Sequence, residues 1–460
     1  MKNLKLDTAP ITKLLIHYSL PAILGLIVSA LYNVVDRIFI GNIPGAGAMA
    51  ITGVGVTMPV TSVITAFSML IGVGATAAIS INLGKGEKDK AEGILGAGVL
   101  LSFIIGVSIF IFGAIFLDPI LLFFGAGENT LFYAKSYMGI ILLGTPINIM
   151  GYTLSNIMRA DGNPRFSAIV MAVSCFLNII LDWFFVFRLD MGISGAAYAT
   201  VIAQSVTLIS GIFYFTKYSK TVRIKLEKIK LQVSTAYEIL VIGVAPFTNM
   251  VLASTVQTLN NRTLKLYGGD YAIGAMATIM SVALMCFMPI NGIAQGAQPI
   301  IGYNYGAGNK ERALETLKKS TFMSVSLMIL SVLFIQIFPD QIISIFGGDA
   351  ELKGMAHRGM KIYLLGLPAI GVGTNIIQYF QAIGSAKLAL YFSFLRQLVL
   401  LIPSLLIFSK LFGLDGVWIA QPFADYMALG INLTFLKFEI DRQRGIRSDF
   451  SFKKFNLKWN

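Results

Sequence analysis

The chain alternates long apolar runs with short polar breaks. A run crosses a bilayer when it holds about 20 apolar residues, each rising about 1.5 Å along a helix. Such runs fall at 14–41, 51–81, 94–117, 134–158, 166–188 and 193–216, and again at 236–266, 272–303, 316–338, 360–383, 388–411 and 415–437. Twelve predicted spans describe an all-α membrane protein, because a helix satisfies its own backbone in lipid. An even number of spans puts both ends of the chain on one side.

The longest break, KYSKTVRIKLEKIK (Lys217–Lys230), divides the spans six and six and reads as a basic, amphipathic linker. The two halves repeat. SLPAILG at Ser19 resembles VAPFTNM at Val244, and LGKGEKDKA (Leu83–Ala91) matches YGAGNKERA (Tyr305–Ala313). FFGAG at Phe123 matches IFGGD at Ile345, GTP at Gly144 matches GLP at Gly366, and GISGAA at Gly192 matches GLDGVW at Gly413. The offset stays near 305 − 83 = 222 residues. With six spans each, both halves start on the same side, so they are parallel repeats about an axis along the membrane normal. Such folds place substrate between the halves and rock between two states. The predicted organisation is an N-terminal six-helix lobe (1–216), a cytoplasmic linker (217–235), a C-terminal six-helix lobe (236–437) and a basic tail (438–460).

Composition agrees. Of 460 residues, 56% are hydrophobic and 13% charged, against about 25% charged in soluble domains. The net charge of +13 raises nucleic acid as a partner, but its distribution points elsewhere. By position, 26 of the 36 Lys and Arg fall on the side holding the termini and the linker. That is the positive-inside pattern, so both termini are expected in the cytoplasm. The tail could also touch anionic lipid. Cys175 and Cys286 both lie within apolar spans and imply no disulfide framework. His17 and His357 lack metal-ligand spacing and read as packing or interface residues. No GxxxxGK[ST] loop occurs, so ATP is not expected as the direct energy source. Nothing reads as an enzyme, and no cofactor is expected.

The candidate chemistry lies in polar groups inside the spans. An ionisable group there costs at least ~2.5–3.5 kcal/mol on insertion scales, which suggests a job or a partner. Span 1 carries Asn33, Asp36 and Arg37. Span 5 places Asn178 and Asp182 at i and i+4 on one face, and span 6 places Thr200 and Gln204 likewise. At about 1.5 Å per residue, Asp36 lies roughly 33 Å along span 1 and Asp182 roughly 24 Å along span 5. Thr200 lies roughly 10 Å into span 6, which runs the other way. All three thus reach the outer half of the N-terminal lobe. Two carboxylates with an amide and a hydroxyl can hold a proton or a hard cation such as Na⁺. The plainer reading is a buried hydrogen-bond network in which Arg37 neutralises one acid.

In the C-terminal half, the positions corresponding to Asp36 and Asp182 fall near Asn261 and Ser404, so the acid pair is missing. Arg396 and Asp425 instead share a depth and read as a structural ion pair.

At these residues the sequence resembles the multidrug and toxic compound extrusion (MATE) family, in its bacterial MepA-like branch. The resemblance is carried by SLPAIL…YNVVDRIFIG, the LGKGE and YGAGN loops, RADGNPR (Arg159–Arg165) and NIILDWFFVF, and covers nearly the whole chain. It implies two six-helix lobes around a central cavity in the bacterial inner membrane. It also implies export of amphipathic organic cations by antiport against H⁺ or Na⁺, by a chain expected to be a monomer. The family's N-lobe cation site maps onto Asp36, Asn178, Asp182 and Thr200, which are also the possible Na⁺ ligands. Asn33, Arg37, Gln204 and Asn261 are the additional polar cavity candidates. Relatives of the NorM type use acids in spans 7 and 10. Here span 7 offers Gln257, Asn260 and Asn261, and span 10 offers no acid. Two rivals to efflux stand: a lipid-linked precursor flippase of the same superfamily, and a non-transporting receptor or scaffold.

Overall fold

The computed structural model describes residues 6–43, 47–346 and 350–443, without the side chains of 29, 33, 34, 47, 48, 128, 129, 254, 270, 345, 346, 442 and 443. Among the described residues the regular structure is helical throughout. The first lobe holds α1 (Ile11–Gly41), α2 (Gly47–Gly84), α3 (Lys88–Ile115), α4 (Glu128–Ala160), α5 (Pro164–Trp183) and α6 (Gly192–Phe213). The second holds α7 (Val233–Gly269), α8 (Tyr271–Gly306), α9 (Lys310–Ile337), α10 (Ala350–Ala382), α11 (Ala386–Phe412) and α12 (Leu414–Gln443). Short helices, Leu117–Phe123 and Pro339–Phe346, lie before α4 and α10.

Local chemistry sets several boundaries. Asn163 Oδ1 accepts the Phe166 N–H at 3.2 Å, and Pro164 opens α5 where no intrahelical donor is needed. Asn309 caps α9 in the same way through the Arg312 N–H. Gly269, at φ 63°, makes the break between α7 and α8 that a residue with a β-carbon would resist.

Two predicted spans come out differently. The helix α10 starts at Ala350, ten residues before the apolar run at 360, because its first turns carry Glu351, Lys353, His357 and Arg358. Eleven helices among the described residues are long and apolar enough to cross a membrane. The twelfth, α12, is 30 residues long, but Gln421, Asp425 and Asn432 in its middle lower its hydropathy. The linker is not an amphipathic helix. After the turn Tyr214–Tyr218 that ends the preceding helix, it has one short turn, Leu226–Lys228, and is held by polar contacts: Lys225 and Lys228 reach Glu92 Oε2 at 2.7 and 2.9 Å.

The start of α1, the linker and the end of α12 share one face of the bundle, called here the terminal face. The lobes close on each other there. A β-carbon at Gly243 would stand 1.7 Å from the Leu70 carbonyl oxygen, and one at Gly74 would stand 2.1 Å from that of Ile239. Closer to the face, Gly84 and Gly306 bring α2 against α8, with the Tyr303 and Ile81 carbonyls each at 2.0 Å. Small residues are what let membrane helices approach this closely. In the other direction α2 becomes half-exposed over residues 49–63, whereas residues 70–82 are almost all buried. The cleft between the lobes therefore opens away from the terminal face.

Candidate functional site: a carboxylate pair inside the first lobe

Three helices converge on the site. From α1, Asp36 is 6% exposed; from α5, Asn178 and Asp182 are 1% and 0% exposed; from α6, Thr200 is 4% exposed. The Asp36 and Asp182 carboxylates face each other within hydrogen-bonding reach. Asn178 stands between Asp182 and Thr200. With its amide turned so that the nitrogen faces the acid, it donates to Asp182 Oδ2 at 2.9 Å and accepts the Thr200 N–H at 3.2 Å. One oxygen of each acid, Asp36 Oδ1 and Asp182 Oδ1, is buried without a hydrogen-bond partner. A buried acceptor left unsatisfied is costly, so these oxygens mark where a proton or cation would be stabilised.

The scaffold explains why they meet. Ser174 Oγ donates to the Ala203 carbonyl at 2.5 Å, tying α5 to α6. Immediately after Trp183 the helix widens into a π turn, Phe184–Arg188. Such turns recur at functional sites because the extra residue re-aims neighbouring side chains.

Two neighbouring cavities lie beside Asp36, Asn178 and Thr200. One of about 320 Å³ is lined by Tyr32, Asp36, Arg37, Tyr137 and Asn148, and one of about 190 Å³ by Met171, Ser174, Cys175 and Asn178. Tyr32, Asn148, Thr200 and Gln204 line both. Gln204 thus sits beside Thr200, as its spacing suggested. Arg37 lines the larger cavity but turns towards Met58 Sδ at 3.7 Å. Among the described residues it closes no ion pair with either acid, although its charge still acts on Asp36 across the cavity they both line. Asn261 accepts from Gln257 Nε2 at 3.2 Å on α7 and is not brought to this site. The side chain of Asn33 lies outside the described residues.

Sequence reasoning missed Tyr32, Tyr137 and Asn148. Tyr32 stands one turn before Asp36, and Thr145, Asn148 and Tyr152 form a polar stripe at i, i+3 and i+7 in α4. That stripe, in an otherwise apolar run, was a signal available without the structure.

In the second lobe, Arg396 Nη1 lies 3.4 Å from Asp425 Oδ1, and Gln421 Nε2 donates to both oxygens of Asp425 at 3.2 and 3.0 Å. A cavity of about 60 Å³ beside them is lined by Asn249, Thr374 and Asn432.

The two lobes of long apolar helices define a class, a multi-pass membrane protein built from two repeated halves. Comparison with known proteins narrows this. The MatE family model matches residues 21–184 and 247–407, once in each lobe, and the chain belongs to the MATE family. It is a transporter and not an enzyme. The "Multidrug export protein MepA" of Staphylococcus haemolyticus (strain JCSC1435) is 28% identical over 429 residues, 92% of this chain and 94% of its own. The protein of the same name from Staphylococcus aureus (strain MRSA252) is 29% identical over 413 residues, 89% of this chain and 90% of its own. A solved outward-facing multidrug resistance MATE family transporter of the MOP superfamily is 25% identical. It superposes with a TM-score of 0.90 over 97% of this chain and 99% of that one.

Proposed function

We propose that this transporter exports amphipathic organic cations, coupled to inward movement of H⁺ or Na⁺ through Asp36, Asn178, Asp182 and Thr200. The observation that carries the reading is the facing carboxylate pair, with one unpartnered buried oxygen on each acid, beside a cavity that Arg37 also lines. Two adjacent acids in a poorly solvated site favour a shared proton or a cation between them. While they carry net negative charge, a cationic substrate is attracted, and more strongly than in water. Occupancy by the coupling ion removes that attraction. Ion and substrate then oppose each other reciprocally.

In this reading the terminal face is cytoplasmic, following the Lys and Arg distribution, and the cleft described above opens outward. Residues 1–216 and 236–437 act as the two lobes. Pro21 inside α1 removes a backbone hydrogen bond, so α1 can bend when the acids take up the ion. The second state returns the ion to the cytoplasm. The ligand moves the equilibrium only through its different affinities for the two states. Arg396 and Asp425 serve as a structural pair between α11 and α12.

The test is dye efflux in everted vesicles under separately imposed pH and Na⁺ gradients. Efflux driven by one gradient identifies the coupling ion. Transport of a polyprenyl-linked anion in place of the dye would favour the flippase reading instead.

A further inference from the structure

The first helix of each lobe is anchored in the other lobe. Ile11, Leu14, Leu15 and Tyr18 of α1 belong to the same buried cluster as Ile300, Ala313, Leu314 and Phe380 of the second lobe. Reciprocally, Ile239 and Ile242 of α7 are buried with Ile71, Leu95 and Ile157 of the first. Each exchanged end is also gripped by polar groups. In the second lobe, Arg312 Nε donates to Asn304 Oδ1 at 3.1 Å, and its Nη2 donates to the carbonyls of Leu6, at 3.1 Å, and Ala9. Asn304 Nδ2 adds a bond to Leu6 O at 3.1 Å.

The repeat places the same device in the first lobe, since 304 − 82 and 312 − 90 both equal 222. Asn82 Nδ2 donates to Glu238 Oε1 at 3.3 Å, and Lys90 Nζ lies 3.7 Å from Glu238 Oε2. The grips differ in what they hold, backbone carbonyls in the second lobe and the Glu238 carboxylate in the first, and in how well they are satisfied. Arg312 satisfies Asn304 Oδ1, whereas the compact Lys90 ammonium lies against Glu238 and leaves Asn82 Oδ1 buried and without a partner.

We propose that Asn304–Arg312 and Asn82–Lys90–Glu238 are crossed clamps, positioning residues that hold the terminal face shut and oppose its opening. The geometry supports this. Each clamp joins a corner of one lobe, between its second and third helices, to the start of the other lobe's first helix, at Leu6 and Ala9 just before α1 and at Glu238 in the second turn of α7. With a clamp held, the lobes can part at this face only by bending the clamped helix, so each clamp opposes opening. Because α1 also carries Asp36, release frees the terminal end of the helix that bears the ion site at its other end. A charge-assisted hydrogen bond is stronger than a neutral one, so the arginine clamp dominates. The proposal rests on the alternating-access reading above only for its role in transport. The clamp itself is a statement about conformation.

The experiment measures spin-label distances across the terminal face in the purified full-length chain, between Lys85→Cys and Lys310→Cys, with Cys175 and Cys286 replaced. Both labelled positions are exposed corners, one on each lobe. Arg312→Ala should raise the population of the long distance by about tenfold or more, given the strength of charged hydrogen bonds. Arg312→Lys should restore part of the closed population at an unchanged melting temperature. Lys90→Arg removes no contact and can reach Asn82 Oδ1, so it should shift the distribution towards the short distance. Distributions unchanged in both Arg312→Ala and Lys90→Arg would overturn the proposal. If the distances shift but vesicles show no cation efflux, the clamps stand and the efflux reading fails. If efflux is present and the distances do not shift, the clamps fail alone.

Discussion

The Tyr214 hydroxyl donates to Asp161 Oδ2 at 2.7 Å, fastening the end of α6 to the loop between α4 and α5. Ser219 Oγ donates to the same oxygen at 2.7 Å, and the Val222 N–H donates to Oδ1 at 3.1 Å, so one carboxylate also pins the start of the linker. Burial pushes the Asp161 carboxyl above its ordinary range, although these hydrogen bonds pull the other way. The folded state therefore favours the protonated form. Its contribution to stability is greatest below the carboxyl's unfolded value, declines as pH rises towards the raised folded value, and is constant above it.

Asp161→Asn should therefore flatten that part of the profile, because it keeps an acceptor without the charge. Asp161→Ala leaves buried donors unsatisfied at a cost of about 1–3 kcal/mol each. Melting temperature in detergent between pH 4 and pH 8 checks both; a wild-type slope that persists in Asp161→Asn assigns the pH dependence to another group.

Asp36→Asn and Asp182→Asn should each abolish gradient-driven efflux and leave the fold intact. The amide keeps the shape and removes the group that binds the ion. Vesicle efflux at matched membrane expression decides, and wild-type rates from either variant would remove that acid from the site.

Losing either partner of the Arg396–Asp425 pair leaves a charge among buried neighbours. In soluble proteins that loss costs roughly 3–5 kcal/mol. Arg396→Gln and Asp425→Asn should each lower the melting temperature, and the double variant should recover part of the loss. Stable single variants that do not transport would instead place Asp425 in the mechanism.

Gly243→Ala should disfavour the arrangement closed at the terminal face, because its methyl group would meet the Leu70 carbonyl oxygen. Overpacking of this kind costs about 1–3 kcal/mol. Gly430→Ala in α12 meets nothing within 4 Å and serves as the control. Equal melting temperatures for the two variants would mean that the helices part without cost.

The spans, the internal repeat and the membrane class were legible in the sequence because hydropathy and the 222-residue register are local properties of the chain. Asp36, Asn178, Asp182 and Thr200 stood out for the same reason, as polar groups in apolar runs whose depth follows from helical rise. The ten extra residues of α10 were hidden because their polar face gives no hydropathy signal. Only the tertiary structure decided the rest. The direction Arg37 turns depends on the rotamer that the cavity wall permits. The exchange of α1 and α7 between lobes depends on backbone approach at glycines such as Gly74 and Gly243, which hydropathy scores as ordinary apolar residues. Asn82 and Asn304 read alike at matching positions, yet only Asn304 has its carbonyl oxygen satisfied. That difference comes from the reach and fork of Arg312 against the single ammonium of Lys90, and it exists only where the two lobes touch.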